Sequence, residues 1–133
     1  MIRSILAVLT GFVTWFVVAQ LGDFLIRALL PGYLAAEPSM SFTLAMMFAR
    51  LTLAVVSSMV AGFACSAVAR GRVAAVYSLA AVLVLCFLPV HYNLWQKFPL
   101  WYHLFFLVTL APLVLLGAAI QRGWRAVPAG ARI

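Results

Sequence analysis

Few residues of this chain can do chemistry, and most of them lie within or beside strongly apolar runs. Asp23 and Glu37 are the only carboxylates, His91 and His103 the only imidazoles, and Cys65 and Cys86 the only thiols. An acid–base enzyme would have to run on that inventory, which is thin for the work of proton transfer and transition-state stabilisation. Chemistries that depend on paired cysteines, an Asp-rich motif or a Ser/His constellation lack their residues altogether. The inventory therefore argues for a non-catalytic protein.

Charges inside a spanning segment are rare and by default suggest function. Three occur here. Asp23 and Arg27 fall in the first apolar run and Arg50 in the second. Gln20, Asp23 and Arg27 follow i, i+3, i+7 spacing and share one helical face. Arg50, Ala54, Ser57 and Ala61 share a face of the next helix. If the two helices form a hairpin that bends near residues 36 and 37, Asp23 and Arg50 come to the same depth. One reading is an Asp23–Arg50 ion pair that fixes the register of the hairpin, because an unpaired charge in lipid costs several kcal/mol. A second has Arg27 and Arg50 snorkelling to the headgroups. A third is a binding site for a substrate, ion or lipid headgroup, formed by Gln20, Asp23, Arg27, Arg50, His91 and His103.

The two histidines are symmetric about Lys97 and so belong to opposite arms of one turn. Their expected place is the interfacial belt, bonded to neighbours or water. That position is too shallow for bis-histidine haem ligation, and no metal or other cofactor is expected. Cys65 and Cys86 lie at opposite depths, more than about 10 Å apart at 1.5 Å rise per residue, beyond the reach of a disulfide.

The elements that must position these residues are transmembrane helices. The chain is 68% hydrophobic and 8% charged, against about 45–50% and about 25% for a soluble domain. A soluble fold this small could not hide so much apolar surface. Four runs approach the roughly 20 residues that a spanning helix needs: about 5–30, 42–69, 73–90 and 100–120. They are continuously apolar, whereas a membrane β-barrel would alternate with period two. Met1 to Ala19 has the look of a secretory signal, but the apolar run continues to Leu30, which favours a span. Pro31-Gly32, Arg70-Gly71-Arg72, Pro89, Pro99 and Gly123 punctuate the runs. The fold expected is an all-α, up-down, four-helix transmembrane bundle over residues 1–123, followed by a short basic tail, 124–133.

Orientation follows from charge. Arg3, Arg70, Arg72, Arg122, Arg125 and Arg132 mark one set of helix ends, while the opposite connections hold only Lys97 and Glu37. Cytoplasmic loops carry the positive excess, so both termini are expected in the cytoplasm of a cell whose inner membrane holds the protein. The net charge of +7 encodes topology rather than a nucleic-acid surface. Tyr33, Tyr92, Trp95, Phe98, Trp101 and Tyr102 crowd the outer connections as an aromatic belt. On the second helix, Ser58, Gly62 and Ser66 form a small-xxx-small stripe, suited to close helix packing within the bundle or against another chain. The function expected is that of an accessory or assembly subunit binding lipid or another membrane protein. The alternative is a small transporter or channel that works as copies of itself, with a polar site in the outer half.

Overall fold

The computed structural model describes residues 1–131; Arg132, one of the arginines used above for orientation, lies outside them. The chain is all-α and contains no strand among these residues. Four long helices form the bundle: α1 (Ile2–Leu29), α3 (Leu44–Ala69), α4 (Val73–Asn93) and α5 (Leu100–Ala126). A one-turn helix, α2 (Tyr33–Ala36), lies between α1 and α3, and a 3-10 turn at Ala129–Ala131 follows α5. Each long helix has the length and composition to cross a membrane. Their outward faces carry Leu21, Phe24, Leu25, Leu85 and Val108, each more than half exposed. Water would not tolerate so continuous an apolar surface, whereas lipid would.

Two helices run past their expected C-terminal ends. Pro89 does not stop α4, which continues to Asn93, and α5 continues past Gly123 to Ala126, into the segment read as tail. Pro112 also lies inside α5. Inside a membrane, neighbouring helices can compensate for the backbone bond that a proline removes, so a proline breaks a spanning helix less readily than a soluble one. The breaks that do hold have backbone causes. Gly32 (φ 79°) turns the chain out of α1, and Arg70 with Gly71 (φ 48° and 88°) makes the tight α3–α4 turn, all in the left-handed region. Thr43 caps α3, its hydroxyl accepting from the Met46 amide at 3.4 Å.

α1 packs on α3 and α4, and α5 packs on the same two from the other side. The α3–α5 seam is the closest. A Cβ on Gly62 would collide with the backbone carbonyl of Val114, and one on Gly117 would collide with that of Met59. Ser66 Oγ donates to Gln121 Oε1 across the same seam at 3.0 Å. Ser58 faces α1, where it accepts from Trp15 Nε1 at 3.1 Å. The Ser58, Gly62, Ser66 stripe is thus taken up inside the bundle by α1 and α5, leaving no open surface for another chain. Cys65 is buried against Gly11 of α1, and Cys86 is exposed on α4; both are free thiols.

Candidate functional site

The polar groups gather at the end of the bundle away from the termini, hereafter the distal end. α3 starts there, and Arg50 projects from its second turn. The Arg50 guanidinium donates from Nη1 to Tyr33 Oη at 2.6 Å and from Nε to Tyr102 Oη at 3.4 Å, and it lies 5.0 Å from the centre of the Phe42 ring. Tyr33 arrives because Gly32 reverses the chain after α1 and α2 folds the ring inward, fully buried. Its hydroxyl accepts from Arg50 and donates to Asp23 Oδ1 at 3.3 Å. Burial raises the Tyr33 phenol above its ordinary pKa, so it remains a neutral bridge.

Asp23 and Arg50 therefore come to one level, as the hairpin symmetry requires, but they do not form the direct pair. Tyr33 stands between them, and the carboxylate pairs within its own helix, with Arg27 Nη2 at 2.8 Å. The same Arg27 nitrogen lies 2.6 Å from Glu37 Oε1, and Arg27 Nε donates to that oxygen at 3.1 Å. One arginine thus holds both carboxylates of the chain. No carboxylate among the described residues lies within salt-bridge distance of Arg50.

The histidines are buried in the bundle rather than open to water. His91 is 4% and His103 1% exposed, and their Nδ1 atoms lie 2.8 Å apart, a hydrogen bond in which one ring donates and the other accepts. They are buried because α4 extends past Pro89 and carries His91 into the bundle, where Phe106 packs beside it and Trp95 stacks on His103. His103 Nε2 is buried without a partner. No group of three or more His, Cys, Asp or Glu side chains is placed to hold a metal ion among the described residues.

These residues surround a cavity of about 280 Å³ between α1 and α4. Gln20, Asp23, Glu37, Arg50, Ser57, His91 and Tyr102 supply its polar lining. Arg27 stays outside, clamping the carboxylates, and His103 sits behind His91. The cavity floor is aromatic: Trp15 packs on Phe87 (4.6 Å between ring centres), and Phe87 packs on Phe106 (5.0 Å). Below it, Ala61, Cys65, Leu79 and Leu83 are fully buried, and the bundle closes. Gln20 and Val90 line the cavity and are also exposed on the surface. Gln20 lies about two and a half turns inside the end of α1, so the mouth opens sideways, at the depth of the apolar surface.

Sequence reasoning placed Tyr33 and Tyr102 in the aromatic belt and missed both as partners of Arg50. The signal available was weak: a Tyr directly after a Pro-Gly turn. Ser57 was legible as a neighbour of Arg50 on one helical face. The symmetry about Lys97 put His91 and His103 on opposite arms of one turn, but neither their contact nor their burial was read from it.

The arrangement offers a guanidinium with spare donors, several neutral hydrogen-bonding groups and an apolar wall, a chemistry suited to binding. Comparison with protein-family models, with curated proteins and with solved structures finds no match for this chain.

Proposed function

We propose that this chain is a non-catalytic membrane protein that takes a bilayer lipid sideways, between α1 and α4, into its distal cavity. It would act as an accessory subunit of the membrane in which it sits. The observation that carries this reading is the mouth: a cavity with a mixed polar and apolar lining, to which all four long helices contribute, reaches the surface at Gln20 and Val90, among the apolar faces that suit lipid. Amphiphiles partition there with the headgroup toward polar side chains and the tail in the bilayer. Charge distribution favours the distal end facing outward, both termini in the cytoplasm and residence in the inner membrane. Transport through a single copy is disfavoured by the closed aromatic floor; that reading needs several copies, with a path between them.

The test is native mass spectrometry of protein released from lipid nanodiscs. Ala54 lines the cavity, and Ala54→Phe would fill much of it. Retained lipid should fall sharply in Ala54→Phe and stay at the wild-type level in Leu85→Phe, which alters only an exposed apolar position. Equal lipid retention by all three proteins would sink the proposal.

A further inference from the structure

We infer that the occupant of this cavity is an oxyanionic amphiphile, whose phosphate or carboxylate sits on Arg50 while its hydrocarbon leaves between α1 and α4. This deepens the lateral-binding reading and rests on it.

The charges of the site are unevenly matched. Arg27, outside the cavity lining, contacts both Asp23 and Glu37 and satisfies them. Arg50, inside it, has only neutral partners: two phenols and an aromatic face. The Tyr33 hydroxyl relays part of the Asp23 charge to it, over a long 3.3 Å bond. A guanidinium at membrane depth without a counter-charge is unstable, and the tyrosines hold this one in a fixed orientation. A planar fork with spare N–H donors suits a phosphate or carboxylate.

A second group points to a ligand. The Ser57 hydroxyl is fully buried, lines the cavity and has no hydrogen-bond partner. Thr10, Thr52, Ser58, Ser78 and Thr109 all donate to the carbonyl four residues earlier. Ser57 does not, although its helix offers it the same bond. It lies about two turns deeper than Arg50 on the same face. A donor placed below the cation would meet the ester or hydroxyl oxygen that follows a headgroup into the bilayer. The cavity is too small to enclose acyl chains, so they must remain in the lipid, on the side where the mouth opens.

The experiment measures binding to detergent-solubilised wild-type protein with matched probes. Phosphatidylglycerol is compared with diacylglycerol of the same chains, oleate with oleyl alcohol, and inorganic phosphate is tested alone. The charged member of at least one pair should bind about tenfold more tightly or better, the worth of one charge-assisted hydrogen bond. Which pair responds separates phosphate from carboxylate. Arg50→Gln should abolish the preference while leaving the uncharged member unaffected. If Arg50→Gln does not fold, the wild-type comparison with Ala54→Phe decides alone. Pairs that bind equally but both weaken in Ala54→Phe would overturn the anion assignment and leave lateral binding standing. Pairs indifferent to Ala54→Phe would overturn both. Inorganic phosphate competing as strongly as phosphatidylglycerol would refute the amphiphile and leave a site for a free anion.

Discussion

Replacing Tyr33 by Phe removes one oxygen atom and nothing else, and that oxygen joins Arg50 to Asp23. The ring stays buried against Phe42, 5.0 Å away between centres, so no cavity opens. Two bonds are lost: the 2.6 Å contact from Arg50 and the 3.3 Å contact to Asp23. Asp23 keeps Arg27, and Arg50 keeps Tyr102 and Phe42, so neither charge is stranded. Hydrogen bonds to charged groups contribute about 1.5–3 kcal/mol in soluble proteins, whereas those between membrane helices average nearer 0.6. With one short, charged contact and one long one, the expected destabilisation is about 1.5–2 kcal/mol, roughly a tenfold to thirtyfold change in the folding equilibrium. Reversible unfolding in mixed micelles, titrated with a denaturing detergent and followed by circular dichroism, would measure it. Tyr92→Phe is the control, since Tyr92 is 81% exposed. A Tyr33→Phe protein as stable as that control would refute the bridge, and so would a double-mutant cycle with Asp23→Asn that shows no coupling.

The pH dependence of the same variant has a definite sign. Burial raises the Tyr33 pKa in the folded state, so its contribution is full below the unfolded value near 10 and is lost as pH rises through the folded value. The stability of wild type relative to Tyr33→Phe should therefore fall above about pH 10; a flat difference would contradict a buried phenol. Gly62→Leu should prevent the α3–α5 seam from closing and abolish the peak of folded protein in gel filtration. Gly123→Ala, where a Cβ meets nothing within 4 Å, should instead stabilise α5 by about 0.5–1 kcal/mol in the same unfolding assay. In a cysteine-free background, a membrane-impermeant maleimide added to intact cells should label Lys97→Cys and not Arg70→Cys; the reverse pattern would invert the topology.

The four helices were legible because lipid demands long continuous apolar runs, and few sequences meet that demand by accident. Their ends were less so: α4 runs through Pro89 and α5 through Gly123, because a proline inside a membrane bundle can be compensated and a single glycine costs a helix only about 1 kcal/mol. At the site, hairpin symmetry brought Asp23 level with Arg50 and His91 level with His103. It could not say which groups touch. The direct Asp23–Arg50 pair failed because Gly32 sends Tyr33 inward, a consequence of one backbone angle that residue types alone do not reveal. Arg27 and Glu37 were similarly hidden, since their meeting depends on how α2 folds back over the end of α1.

The Gly62–Val114 and Gly117–Met59 approaches have a bearing on biogenesis. Both join the second long helix to the last one, across all of α4. While the chain is being synthesised, α1 and α3 can associate as soon as both are in the bilayer, but the groove along α3 stays open until α5 emerges. A chain cut short before Leu100 would expose Ser66 and the carbonyl of Met59 to lipid, with no partner to cover them. Completion of the last helix is then the step that commits the whole bundle, and a truncated product would present a membrane quality-control protease with a face that the finished protein never shows.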